Sequence, residues 1–569
     1  MNDQRIPNQT APSQPPPDKG AEGSHADSGA TIARFAAIVS VFKLSNFVMG
    51  IVVKSLFSAF AKKAITDAYF WAWENFNFVF LVGEDLLGSC FLPVFVHAKN
   101  RDGEKSAWQF AGTVLAIQGM FALFFVSLGI IFSGYWVGTV GEDLREPLLA
   151  RRLLITFLAG LAFMTLASTL SLNLNAYKKF TLAAFSEFVN KLMIVAFFMV
   201  GALFILPMVG LTRQDEAFGR WAMFGAAAGF SFGAMLKFLL NIWGLRGQLK
   251  EHFKLVLKFD TPEMKSLGLL LLVLFIGSIG GKVRDLIELM FKQRIEGVIS
   301  YVSYAKSLKE VAVIVFPFTL GVVLFPYLSE AVARQDKHRL VALTMNSMRM
   351  MFFVFIPIIL AYVFFRTEIA GTLFFNAERF GLKDISATGM IVSIYAIGFF
   401  AYITEIITLQ VFFSFKDVVT PTVVSLLCAV LDVAVVWATF DAYTYMSIPI
   451  AYVVSRVVKA IALMLLLMPQ FRGALGNEGR RWLTFAWKII VVGAVGAAAC
   501  FAVQHLLPEI TLGNASRMIC LKHTAMGLMA TALAVFAAAY AVRLAEFHET
   551  VNVFGRVARK VTSKFSRKG

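Results

Sequence analysis

Apolar residues fall in long blocks separated by short polar stretches, near 31–60, 67–97, 108–134, 150–175, 180–208, 219–246, 264–293, 300–328, 340–365, 386–415, 418–440, 444–469, 483–506 and 519–545. A bilayer-crossing helix needs roughly 20 mainly apolar residues. Lipid offers backbone amides no partner, so spans of this kind are helices packed as a bundle. The pattern therefore predicts an all-α polytopic membrane protein of about fourteen transmembrane helices, several long enough to tilt or kink.

Composition supports this. The 569 residues are 58% apolar and 16% charged, against roughly a quarter charged in soluble domains, which excludes a water-soluble multidomain enzyme. Lys and Arg number 53 and Asp and Glu 36, a net charge of +17. In a membrane protein this excess belongs to cytoplasmic loops and anionic headgroups, so membrane lipids and no nucleic acid are expected as partners. The loops after segments 2, 6 and 12 carry Lys99, Arg101 and Lys105; Arg246, Lys250, Lys254 and Lys258; and Arg472, Arg480 and Arg481. Arg145, Arg151 and Arg152 break the trend, yet the balance still places both termini in the cytoplasm, in agreement with an even number of spans, which puts them on one side. Cys90, Cys428, Cys500 and Cys520 stand singly without metal-ligand spacing and are expected to be buried thiols.

The expected organisation is a disordered, proline-rich cytoplasmic tail (1–30), an N-terminal lobe of six spans (31–246) and a basic, partly amphipathic surface linker (247–263). A second lobe of six spans (264–470), two further helices (483–545) and a basic cytoplasmic tail (546–569) follow.

Ionisable groups inside spans are costly and usually face a partner or a hydrated cavity. Segment 2 has Asp67, Glu74 and Asp85, which at 100° per residue fall within about 20° of one another; Glu84 lies beside this stripe, and Trp71 and Trp73 flank Glu74. Segment 7 is the most charged, with Arg284, Glu288 and Lys292 at four-residue spacing and Lys282 and Asp285 adjacent. Lys54 sits deep in segment 1, Lys306, Lys309 and Glu310 open segment 8, and Glu405 lies in segment 10. Asp432 stands in the middle of LLCAVLDVAVVW and needs a cation, a proton or a basic partner. Glu187 and Lys191 are expected to neutralise each other, and Arg456 and Lys459 to reach the cytoplasmic edge. GSIGGKV at Gly277–Val283 lacks the spacing and the hydroxyl of a phosphate-binding loop. No HExxH, GxSxG or Cys/His cluster occurs, so a transporter driven by a gradient is expected rather than an enzyme.

Three ordered blocks resemble the MurJ/MviN family of bacterial flippases for lipid-linked peptidoglycan precursors. In ITDAYFWAWENFNFVFLVGEDLLGSCFLPVF (65–95), Asp67-Ala68-Tyr69, Glu84 and Phe91-Leu92-Pro93 match; GVISYVSYAKSLKEVAVIVFPFTLGVVLFPYLSEAVA (297–333) and FFSFKDVVTPTVV (412–424) match two later stretches. FFNAERFGLKD (374–384) fits a fourth more loosely. The resemblance implies two six-helix lobes about a central cationic cavity, two extra helices shaping a groove for a lipid tail, alternating access, and an inner-membrane location. The implied substrate is a polyprenyl-diphosphate-linked glycan, lipid II or a relative, carried by a monomer without cofactor. The chain departs from the family where arginines are expected: Asn46 and Lys54 stand near two in segment 1, Phe80 and Leu81 near a pair in segment 2, and Lys306-Ser307 replaces Asp-Arg. Lys54, Glu74, Arg284 and Lys306 are then the expected substrate-binding residues, with Asp67, Glu84, Asp285 and Glu405 as further cavity candidates. Lysine lacks the bidentate fork of arginine, so headgroup contacts would differ. Some members hold sodium between segments 7 and 11; Glu288 and Asp432 occupy two ligand positions, while Val436, at a third, cannot coordinate. Coupling to Na+, coupling to H+ and a salt bridge to Arg284 all remain open on the sequence. A multidrug exporter of related architecture and a non-transporting membrane scaffold are the alternative functions.

Overall fold

The computed structural model describes residues 41–548, apart from Lys43, Glu84, Arg213, Leu255, 314–318, Asn477 and 512–513. The proline-rich tail, most of the basic C-terminal tail and Glu84 thus lie outside the described residues.

The described chain is helical almost throughout. Helix α1 (Leu44–Phe60) turns at residues 61–62 into α2 (Lys63–Gly83). Helix α3 (Asp85–Val140) breaks at Gly103, where φ is 86°; glycine adopts this left-handed backbone without a Cβ clash. Its two arms complete segment 2 and form segment 3. Then come α4 (Pro147–Ala176), α5 (Phe180–Met208), with a π-helical turn at Gly201–Ile205, and α6 (Glu216–His252). The second half contains α7 (Pro262–Lys292), α8 (Val298–Val313), α9 (Thr319–Ala333) and α10 (Lys337–Phe364). A short α11 (Arg366–Phe374) was not expected from the apolar pattern. Helices α12 (Leu382–Ile397) and α13 (Phe399–Ser414) form one span bent by 47°. The last four are α14 (Val419–Tyr443), α15 (Ser447–Phe471), α16 (Glu478–Leu506) and α17 (Arg517–Ala541). Eight helical stretches among the described residues are long and apolar enough to cross a bilayer, one containing both α14 and α15, and the bent pair adds a ninth. With the shorter, broken and more charged helices included, the order is consistent with fourteen spans.

Packing separates two groups. Helices α2 to α6 pack chiefly on one another, with α6 against both α4 and α5; α7, α8, α10 and α12 to α15 form the second group. The groups meet where α2 touches α7 and α8 and where α3 touches α7. Large side chains such as Trp437, Ile490 and Leu533 are exposed on the outer surface, which suits contact with lipid tails.

The expected linker is partly a continuation of α6, which runs to His252; the chain beyond is irregular. Thr113 Oγ1 donates to Val256 O at 2.8 Å and straps it across α3. Glu187, expected to neutralise Lys191, remains within its electrostatic reach and also bridges Lys237 of α6 at 2.9 Å, while Lys191 lies over the Trp73 ring at 5.6 Å. All four cysteines are free and buried.

Small residues let α5 and α6 approach closely, as expected where no water drives helix association. A Cβ at Gly229 would lie 2.6 Å from Met193 O and 2.8 Å from Phe197 Cβ. Gly229→Val is expected to destabilise the protein by about 1–3 kcal/mol, read as a lower midpoint when a thiol-reactive dye reports thermal exposure of the buried cysteines.

Candidate functional site

Helix α7 brings Lys282, Asp285, Leu286 and Leu289 to a cavity of about 140 Å³; α2 adds Glu74, Asn77 and Phe78, and α8 adds Lys306. The site thus lies at the seam between the two helix groups. Of the expected substrate-binding residues, Glu74 and Lys306 line it directly, as does the further candidate Asp285.

A buried charge network stands behind this lining. Lys292, wholly buried, bridges Glu74 at 3.3 Å and Glu288 at 3.4 Å. Arg284 Nη2 donates to Asp285 Oδ1 at 2.7 Å. The same guanidinium lies 3.5 Å from Glu288 and 3.5 Å from Asp432 of α14. The four-residue spacing read from the sequence is therefore a ladder whose rungs reach two other helices. Arg284 stands between Glu288 and Asp432, the two carboxylates proposed for a cation.

Lys54 takes a different place. It donates to Ser303 O at 2.8 Å and Ser307 Oγ at 2.6 Å, tying α1 to α8 rather than lining the cavity. Lys306 and Glu74 remain within its electrostatic reach. Glu405 is not at the cavity either. It is buried within the second group, bonded to Arg456 and, at 2.7 Å, to Lys459 of α15. Arg456 and Lys459 are thus engaged inward rather than drawn to the membrane edge. Lys309 lies over the rings of Tyr452 and Tyr395, at 4.4 and 5.0 Å.

Asp67, at the start of the acidic stripe, is an acceptor for the opposite group. It receives Gly297 N at 2.5 Å, Ser300 N at 2.8 Å and Ser300 Oγ at 2.6 Å at the N-terminus of α8. Unpaired amides and the helix dipole favour a carboxylate there. Gly297 has φ +90°, and a Cβ on it would sit 2.7 Å from the Tyr301 ring. Around this joint, Lys63 bridges Asp384 at 3.3 Å, Tyr301 donates to Asp384 at 2.5 Å, and Trp71 donates to Gln293 at 3.1 Å. Arg379 donates to Phe60 O at 2.6 Å. The two groups are closed against each other at this end. The sequence named Asp67 without its partners, and it did not single out Tyr301, Asp384, Gln293 or Arg379.

Two helix groups about a charged central cavity, with two added helices, define a class of membrane transporter. The fold is similar to a solved structure titled lipid II flippase MurJ in an inward closed conformation, with TM-score 0.66, 15% identity, and 87% of this chain and 98% of that chain covered. It is also similar to an inward-facing multidrug resistance MATE family transporter, with TM-score 0.63, 12% identity, and 76% and 95% of the two chains covered. The model of the family described as lipid II flippase MurJ matches residues 56–520, and the chain belongs to that family. Among curated relatives, the lipid II flippase MurJ of Burkholderia cenocepacia is 26% identical, covering 68% of this chain and 74% of its own length. The probable lipid II flippase MurJ of Bdellovibrio bacteriovorus is 25% identical, covering 91% and 97%.

Asp67→Ala would leave two buried amides without their acceptor. The expected loss is about 2–4 kcal/mol, measured as the change in thermal midpoint, whereas Glu310→Ala on the exposed side of α8 is expected to change it little.

Proposed function

We propose that the chain is a flippase carrying a polyprenyl-diphosphate-linked glycan, lipid II or a related peptidoglycan precursor, across the bacterial inner membrane. The observation that carries this reading is the cavity with Lys282 and Lys306 on its wall, set between the two helix groups of a MurJ-family chain. A diphosphate sugar cannot cross hydrocarbon unaided, and ammonium groups in a partly dry cavity bind phosphate oxygens strongly. The polyprenyl tail stays in lipid while the headgroup passes between the lobes.

At about 140 Å³ the cavity is below the roughly 300–1,000 Å³ of sites that enclose a drug-sized ligand. A glycan headgroup therefore requires the lobes to part, as in rocking-bundle transport. With both termini in the cytoplasm, the end closed by Asp67, Asp384 and Arg379 faces the periplasm, so entry is from the cytoplasmic leaflet. The basic side chains Lys99, Arg101, Lys250 and Lys254 at the opposite end support that orientation. A monomer satisfies this scheme.

Depletion is expected to accumulate the lipid-linked precursor in the cytoplasmic leaflet. Lys282→Ala and Lys306→Ala are each expected to slow headgroup translocation in proteoliposomes by about tenfold or more, the scale of one lost charge-assisted hydrogen bond. Unimpaired translocation in both would sink the cationic-cavity mechanism. Drug resistance on overexpression, without an envelope defect on depletion, would mark an exporter instead.

A further inference from the structure

Three carboxylates converge at the seam of α7 and α14: Asp285, Glu288 and Asp432. One guanidinium meets them all, Arg284 lying 2.7 Å from Asp285, 3.5 Å from Glu288 and 3.5 Å from Asp432. The two longer contacts are ion pairs without hydrogen-bond geometry. Asp432 is fully buried, and among the described residues neither of its oxygens has a hydrogen-bond partner, nor does Arg284 Nε. A carboxylate so placed keeps its charge only while a cation stays beside it.

Other cations near these carboxylates have partners of their own, and Lys306 is within electrostatic reach of Glu74, Glu288 and Asp285 rather than paired with Asp432. Lys292 is shared by Glu288 and Glu74, and Arg456 is bonded to Glu405. One turn along α14 from Asp432, Val436 is buried and apolar, so no oxygen completes a shell for a hard metal ion from that side. The space between Glu288 and Asp432 is filled by the guanidinium itself.

We infer that Arg284 is a resident counter-cation, tethered where a dissociable ion would otherwise neutralise Glu288 and Asp432, and that the chain works without taking up sodium. This rests on the transport reading, which supplies the need for a defined charge state at the seam. Arg284 thereby sets cation specificity. Deleting its side chain leaves Glu288 and Asp432 without the guanidinium between them, so that a small dissociable cation can take its place beside the buried Asp432.

The test is the thermal midpoint of the purified full chain in sodium, potassium or choline chloride at equal ionic strength. The native protein is expected to melt alike in all three. Arg284→Gln is expected to melt lower in choline and to gain an upward shift in sodium that potassium does not match. Should that variant fail to fold, Arg284→Gln/Asp432→Asn, with both charges removed, is expected to fold and to show no sodium preference. A sodium-specific shift in the native protein overturns the inference. So does a folded Arg284→Gln without cation preference, or a sodium preference that survives in the double variant. Because the readout is melting, it separates from the transport reading: translocation that fails in every salt counts against the flippase, whereas translocation present in sodium and lost in choline counts against the resident arginine.

Discussion

Neutralising charge inside hydrocarbon is the constraint from which this architecture follows. Helix α7 carries Lys282, Arg284, Asp285, Glu288 and Lys292 in its C-terminal part. No single helix could hold these in lipid, because a lone buried charge costs several kcal/mol even after relaxation. Neighbouring elements make the helix tolerable: Glu74 on α2 meets Lys292, Asp432 on α14 meets Arg284, and Lys282 and Asp285 line the cavity. The most charged helix is thereby fixed at the seam between the two groups, and both groups are needed to bury it.

The same seam is where movement has to occur, and its two kinds of contact differ in how they yield. The ladder within α7 and its link to α14 belong to one group and can travel with it. The contacts of Asp67, Lys63, Trp71 and Arg379 cross between groups and end on backbone amides, a backbone carbonyl or single side chains. Each is a short-range bond of modest net strength, so the closed end can exchange them for water without disturbing either interior. Lys292–Glu74 and the Lys54–Ser307 bond also cross the seam and link the closure to the cavity wall.

The added helices are tied in at both ends. Near one end of the bundle, Arg349 of α10 bridges Glu478 at 2.9 Å and Glu546 at 3.0 Å, gathering the start of α16 and the chain beyond α17. At the other end, Arg517 opens α17 by donating to Phe375 O at 2.8 Å and Ser55 Oγ at 3.1 Å. The second of these bonds reaches α1, so the C-terminal helices contact the closing joint as well as the group that carries them.

Much of this was legible in the chain. Long apolar blocks set the helix order, since a span must satisfy its own backbone and needs a fixed length of apolar residues. Four-residue spacing put Arg284, Glu288 and Lys292 on one face, and the isolation of Asp432 signalled a need for a cation, a proton or a basic partner; both are properties of a local stretch. The partners were not legible. Lys292 and Glu74 are 218 residues apart, Asp67 and Ser300 233, and Glu405 and Arg456 51. Periodicity says which face a charge occupies but not which helix lies opposite, so Glu405 was placed with the cavity and Asp67 with the acidic stripe. The fate of an ion pair depends on a few ångströms between facing helices, and only tertiary packing sets that distance. The sequence by itself determined that charge would be buried in a helical membrane bundle; the folded arrangement decided which carboxylate each cation meets.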